Sequence, residues 1–294
     1  MMSLFEKAFE LGIIADKLPA APTVGKWYHF PVEGKKAGNS SGRIKLLAHG
    51  VAYLHNFVTG EACTWFADNL PTDRKAIALL NREAKAAAAQ AKHEQEKGYK
   101  RAAIKAAELW NISDTPNPVH GYLTAKKLKG IGLKQHFGAL VVPVFSVVDG
   151  SIQSVQFIEG DGSKRFLAGG KMTGGFFASR LYRQGERIII AEGWATSQSL
   201  AQHWKVKGWH IVCFNAGNML AVAKAMRQQH PSAEIILAAD NDASGTGQKA
   251  ATQAALAVIG KVSLPNFTEQ QRQLNPKASD WSDLYLLGGA NHAE

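Results

Sequence analysis

The sequence predicts an α/β protein whose last third is a parallel sheet with flanking helices, preceded by a β-rich subdomain and a long helix. Three observations carry this. From Arg187 onward, apolar strand runs alternate strictly with helical stretches. Residues 71–112 are rich in Ala, Lys, Glu and Gln, all strong helix formers. Two further stretches, within 24–67 and 139–167, consist of short alternating runs cut by turn residues. The expected division is a small amino-terminal module at 1–70, a helical linker at 71–112, a basic β-rich subdomain at 113–185 and the α/β domain at 186–294.

Val24–Phe30, Arg43–Leu47 and Ala52–Phe57 are the short strands of the first module, punctuated by the turn residues of 38–42 and Thr59-Gly60. Aromatics and lysines interleave here, as on a surface that stacks bases. Trp27, Phe57 and Trp65 equally suit a small core. From Pro71 to about Trp110 no proline follows, and about 38 helical residues at 1.5 Å each would span about 57 Å. Its apolar residues are mostly alanines around 84–91, so a wide core stripe is not expected. The helix is read as an exposed spacer, with Gly98 as the place where it would break.

The prolines of Asp114-Thr115-Pro116-Asn117-Pro118 end that arm. Ala139–Val147 and Ile152–Ile158 form a hairpin across Asp149-Gly150. Asp161-Gly162 then turns the chain into Lys164-Arg165-Phe166-Leu167, and Gly169–Gly175 is too glycine-rich for regular structure. After it come strands at Ile188–Ala191, His210–Phe214, Glu234–Ala239 and Lys261–Leu264, separated by helices at Ala195–His203, Asn218–His230 and Gly247–Ile259.

The charge is unevenly placed. Lys and Arg number 34 against 24 acidic residues, a net +10. Residues 1–185 hold 25 basic and 15 acidic side chains, whereas 186–294 hold 9 of each. The front of the chain should attract a polyanion. Two cysteines, Cys63 and Cys213, make neither a disulfide framework nor a four-ligand zinc ribbon, so no structural zinc is expected. No apolar run approaches the roughly 18 residues of a membrane span, and Met1–Glu10 lacks the pattern of a signal peptide. A soluble, cytoplasmic protein is expected, without a membrane partner.

Ligands of open parallel sheets bind beyond the carboxyl ends of the strands. Glu192-Gly193 follows one strand and Asp240-Asn241-Asp242 another, so three carboxylates should converge on one rim. Hard oxygens gathered in this way suit Mg²⁺ or Mn²⁺. Asp242, before Ala243-Ser244-Gly245, would also serve as a helix N-cap. No Gly-x-x-x-x-Gly-Lys-[Ser/Thr] motif or Gly-x-Ser-x-Gly elbow is present, which excludes a fused P-loop motor and an elbow-type serine hydrolase. The Gly169–Gly175 neighbourhood could approach a triphosphate closely or be a plain connector.

The run Ile188–Leu200, reading Ile-Ile-Ile-Ala-Glu-Gly-Trp-Ala-Thr-Ser-Gln-Ser-Leu, together with Ala238-Ala239-Asp240-Asn241-Asp242, resembles the Toprim domain. That domain is shared by bacterial-type primases, topoisomerases and several nucleases. The Glu-Gly-x-Ala-Thr-x-x-Ser-Leu form is most similar to primases of conjugative plasmids and satellite phages. Asn117–Leu123, Leu140–Pro143, Lys164–Lys171 and Phe214–Leu220 are also similar to segments of those primases.

The resemblance implies a DNA primase that makes short RNA primers on single-stranded DNA by metal-dependent nucleotidyl transfer. It implies Glu192, Asp240 and Asp242 as catalytic and metal-binding residues. Asp283 would be a further metal ligand, with Asp280 competing for that place. Lys164, Arg165, Lys171 and Arg180 would hold nucleic acid and nucleotide. Expected partners are the single-stranded template, ribonucleoside triphosphates, and a replicative helicase or mobile-element replication protein. The rival readings are a Toprim-type nuclease and a non-catalytic single-strand-binding accessory protein. A topoisomerase would need a large separate domain carrying its tyrosine, for which this chain has no room.

Overall fold

Side-chain alternation of period two builds three sheets in the computed structural model, which describes residues 2–35, 38–67, 73–242 and 245–288. The chain packs as two units, 1–97 and 98–294.

In the first unit, α1 (Leu4–Glu10) precedes β1 (Trp27–Phe30), β2 (Gly42–Leu46), β3 (Val51–Asn56) and β4 (Ala62–Phe66), which pair in that order as an antiparallel sheet. Helix α1 was not expected, although its signature is present. Ser3 and Glu6 cap each other's backbone in a capping box. One sheet face, with Phe30, Ile44, Leu46 and Leu54, closes over Ala8 and Ile13 as a core. The other, with Val51 and Tyr53, packs on the long helix α2 (Arg74–Ile112) through Leu80, Ala87 and Ala91.

Helix α2 runs through Gly98 without interruption, contrary to the expected break. Nor is it only a spacer. Within the second unit, Ala106, Leu109 and Trp110 pack on Val141, Val155 and Phe157. Alanine carries so little bulk that the backbones approach closely, and a narrow stripe is enough to bury both ends. The expected start of the linker at Pro71 lies outside the described residues.

The second unit continues with α3 (Gly121–Lys126), then β5 (Lys134–His136), β6 (Ala139–Ser146), β7 (Ile152–Ile158), β8 (Lys164–Phe166) and the short β9 (Gly175–Phe176). These strands form an antiparallel sheet in the order β5-β6-β7-β8, with β9 on β6. Its residues alternate between two cores: Val141 and Phe157 face α2, whereas Leu140, Val142 and Ile158 pack with Trp194 and Val212 of the α/β domain. Gly175 is required by contact, since any side chain there would run into Val144 and Gln153.

The α/β domain follows as expected: β10 (Ile188–Ala191), α4 (Trp194–Gln202), β11 (Trp209–Val212), α5 (Ala216–Gln229), β12 (Ile235–Ala238), α6 (Thr246–Val258) and β13 (Lys261–Ser263), closed by α7 (Glu269–Leu274) and α8 (Trp281–Leu286). All strand pairs are parallel in the order β11-β10-β12-β13. The run Ile188–Ala191 is entirely buried, as expected of a strand covered on both faces. Because the second strand lies on one side of the first and the third on the other, the chain direction switches between β10 and β12. The Cα partners Ala191 and Ala238 end those strands side by side.

Candidate functional site

Open α/β sheets bind ligands where the strand order reverses, beyond the carboxyl ends. Glu192 follows β10 and Asp240 follows β12, so both leave the sheet at this switch point. The Glu192 carboxylate accepts the backbone N–H of Ala216, the first residue of α5, whose helix dipole favours a negative charge there. Gly245 donates its N–H to Asp242 Oδ1 at 2.7 Å, in front of α6. Asp242 is not the N-cap foreseen for it, because Gly245 takes that place before α6 without a side-chain cap; Ala243 and Ser244 lie outside the described residues. Asp240 Oδ1 is buried and has no hydrogen-bond partner among the described residues.

These groups feel one another. Burial pushes the Asp240 carboxyl up to about 7, and the negative charges of Asp280, Glu192 and Asp242 push the same way against Lys164. Burial also raises the Glu192 carboxyl, with Asp242 adding to the rise while Lys164 and the Ala216 N–H oppose it. Lys164 reaches in from β8. Its residue surface stays open to solvent, yet its ammonium is crowded by protein atoms 5.8 Å from the centre of the Tyr122 ring. A side chain at Gly193 would stand 4.0 Å from this Nζ. Crowding lowers the ammonium from the usual lysine range, although Asp280, Asp240 and Glu192 all favour its charge. Asp240 thus feels three other acids and one base at this rim of the sheet.

The structure redistributes the other predicted site residues. Arg165 is next to Lys164 in a strand, so it points to the opposite face. There it covers Phe157 at 4.1 Å and pairs with Glu159 at 3.4 Å, away from the carboxylates. Arg180 is at the other end of the parallel sheet, held by both oxygens of Glu186 at 2.8 and 3.0 Å and by the Gly208 carbonyl just before β11. Lys171 lies in the glycine-rich segment, where its carbonyl accepts from Gln153. The segment itself is tied to α5, because Gly174 donates to Asn218 and Asn218 donates to the Gly175 carbonyl.

Of the two further acids, Asp280 joins the site and Asp283 is engaged elsewhere. Asp283 forms a half-buried ion pair with Lys126 at 2.8 Å and accepts from the Ser279 N–H. Asp280 caps α8 and accepts the Thr196 hydroxyl at 3.1 Å. Thr196 belongs to the Ala-Thr after Glu192-Gly193, so the first motif itself orients Asp280. Two bonds to the Asn241 backbone complete the latch: its N–H donates to the Ser279 carbonyl at 2.7 Å, and the Arg272 guanidinium donates to its carbonyl at 3.2 Å. Thr196 and Tyr122 are the functional neighbours that sequence reasoning missed. Only the tertiary contact reveals them.

The donor set is made of hard oxygens, and Asp240 keeps an unused one in a buried place, so a divalent cation of the Mg²⁺ or Mn²⁺ kind fits chemically. Among the described residues, no three His, Cys, Asp or Glu side chains converge closely enough to enclose a metal by themselves. A magnesium ion there would take most of its ligands from water and phosphate oxygens. Among the described residues no helix is long and apolar enough to cross a membrane.

Comparison with known proteins agrees with the α/β domain in particular. Residues 187–291 match the family model of the Toprim domain, and this part of the chain is a Toprim domain. Such domains typically depend on divalent metal. Over 262 residues the chain is 30% identical to a DNA primase TraC of Escherichia coli, covering 83% of this chain and 18% of that protein. A second DNA primase TraC of Escherichia coli is 29% identical over 267 residues, covering 83% and 24%. The chain thus spans about a fifth of the length of the curated relatives it matches. The primase fragment of the bacteriophage T7 primase-helicase protein aligns over 89% of this chain and 95% of its own, at 16% identity and a TM-score of 0.43.

Proposed function

We propose that this chain is a DNA primase of the plasmid and phage type, joining ribonucleotides on a single-stranded DNA template. The observation that carries this reading is the rim at the β10–β12 switch point, where the buried Asp240 carboxyl is coupled to Glu192, Asp242, Asp280 and Lys164. On this reading residues 113–185 supply the cationic wall and 186–294 the carboxylates. Asp240, whose buried Oδ1 has no partner among the described residues, would supply the protein oxygen to Mg²⁺ or Mn²⁺, with water and phosphate oxygens as the other ligands. When bound, the metal lowers the pKa of the attacking hydroxyl and shields the charge of the departing pyrophosphate.

The chain's own residues do the rest. Glu192, its carboxyl raised by burial and oriented by the Ala216 N–H, takes the proton of the 3′-hydroxyl as that oxygen bonds to the α-phosphorus. The bond to pyrophosphate breaks in the same displacement. Lys164, its ammonium beside Tyr122 and its charge favoured by Asp280, Asp240 and Glu192, faces the incoming triphosphate as the positive charge of this rim. Asp280 is held by the Thr196 hydroxyl and the Asp283 N–H, and its charge raises the Asp240 carboxyl.

The test incubates single-stranded DNA, labelled ribonucleoside triphosphates and Mg²⁺ with the wild-type chain and with Asp240→Ala. Short labelled oligoribonucleotides from the wild type alone are the expected result. Shortened template without such products would replace this reading with a nuclease. Retained DNA binding with neither product would replace it with an accessory protein.

A further inference from the structure

We propose that the rim opposite the carboxylates, where the strands of the parallel sheet begin, is a separate contact for single-stranded nucleic acid. Parallel strands give a sheet two unlike ends. Glu192, Asp240 and Asp242 follow strand ends, so they share one of them. The segments that lead into the strands, 180–187, 205–208, 230–234 and 260–261, lie at the other. They carry Arg180, Arg183, Arg187, Lys205, Lys207 and Lys261 against Glu186 and Glu234, a net +4. The neutral sum over 186–294 hides this separation of charge along the strands, and a polyanion is drawn to the basic end.

These segments form one continuous surface. Arg180 donates to the Gly208 carbonyl at 2.9 Å, and a Cβ at Gly208 would stand 2.8 Å from Arg187 Cγ. Arg187 Nε lies 3.5 Å from one Glu234 oxygen, and Lys261 donates to the other at 2.7 Å. Glu234 thus answers two cations, while both oxygens of Glu186 are taken by Arg180. Arg183, Lys205 and Lys207 are exposed and form no ion pair among the described residues. Lys205 is held at φ 55°, in the left-handed region where glycine or asparagine is the relaxed choice, so the local backbone does not account for a lysine there.

A stacking surface lies among these charges. The Tyr182 and His230 rings, both half-buried, face each other with centres 3.9 Å apart and planes inclined by 35°. The buried Trp209 meets both edge-on, at 5.4 and 5.7 Å, and donates Nε1 to the Arg180 carbonyl at 2.7 Å. The Tyr182 hydroxyl donates to the Glu186 carbonyl at 3.1 Å, which fixes the ring further. Aromatic rings held between unpaired cations stack bases and follow a phosphate backbone with little regard to sequence. Adjacent strand starts lie about 4.8 Å apart, so four of them spread the charge over about 14 Å. An acidic protein would use the charge without the rings. An amphipathic helix would need an apolar groove, and Leu181 is the one large apolar side chain exposed in these segments.

This inference does not depend on the nucleotidyl-transfer reading and is tested without it. About 13 Å of strand separates the two rims, so the contact needs neither metal nor carboxylates. Anisotropy of a labelled 20-nucleotide oligo(dT) is titrated with the full chain in EDTA, so that no synthesis occurs. Arg183→Gln, Lys205→Gln and Lys207→Gln combined should weaken binding at least 5-fold and reduce the slope of log affinity against log salt by about 2. The same charge removed from exposed sites elsewhere, by Lys17→Gln, Lys85→Gln and Lys224→Gln, should change the affinity less than 2-fold. Equal effects of the two triples, or none from the first, would overturn the proposal. Poly-L-glutamate should bind the wild type at least 10-fold more weakly than oligo(dT), and equal binding would reassign the rim to an acidic protein. If the first triple unfolds the chain, the wild type still decides the matter. Bromodeoxyuridine photocrosslinks should map to Tyr182 or His230, and crosslinks that spare 180–187, 205–210 and 230–234 would refute the site.

Discussion

Asp240 concentrates the energetic cost of the site in one side chain. Its carboxyl titrates near 7 because burial and three neighbouring carboxylates resist its charge. A carboxyl raised above its unfolded value contributes stability below the unfolded value and loses it as pH rises through the folded one. Metal-free chain in EDTA should therefore lose stability between about pH 4 and pH 7. Asp240→Asn should flatten that loss and make the metal-free chain more stable than wild type at pH 8, as read by urea denaturation. A variant as unstable as wild type at pH 8 would show that the acids do not strain the fold. Phe137 is strained for a different reason. It shares the two-residue turn between β5 and β6 with Gly138, at φ 43° and 87°, and is 96% exposed. Turns of this hand prefer Asn at that place, so Phe137→Asn should raise the melting temperature by the equivalent of about 1 kcal/mol. A lower melting temperature would mean that the edge contact of its ring with His136, 4.3 Å between centres, outweighs the backbone strain.

Elements were legible where one pattern sufficed. The four parallel strands and three helices between them follow from uniform apolar runs, and the two acidic motifs follow from where such strands end. Legibility failed where tertiary contact decides. Lys164 and Arg165 look like one ridge in the sequence, but a three-residue strand sends them to opposite faces. Asp280 and Asp283 are less than one helical turn apart, and only the Thr196 hydroxyl and the Lys126 ammonium sort them. Arg180 comes from an irregular segment whose path no periodicity reveals. The long helix was read as a spacer because alanine carries little hydrophobic signal, yet alanine is what permits its close packing. Gly98 remains the weak point of that helix. No described atom lies within 4 Å of the Cβ it lacks, so Gly98→Ala should stabilise the chain by about 0.5–1 kcal/mol, measured by thermal unfolding. Destabilisation would mean that the helix needs to bend there.

At the scale of the molecule, the charge distribution and the carboxylate rim divide the labour. Residues 186–294 are neutral overall, with nine acids against nine bases and four of those acids at the switch point, while the basic excess lies in 1–185. Binding of single-stranded DNA should accordingly survive the loss of the acids. Asp240→Ala should bind oligo(dT) within about 2-fold of wild type in EDTA, and a large loss of affinity would mean that template and carboxylates are not separable. The rim itself is tested most directly by Mn²⁺ binding, followed by electron paramagnetic resonance of the free ion. Wild type should take up Mn²⁺, Asp240→Asn and Asp280→Asn should each weaken uptake at least 10-fold, and Asp283→Asn should change it much less. Undiminished binding in the first two variants would contradict a shared cation site at the β10–β12 rim.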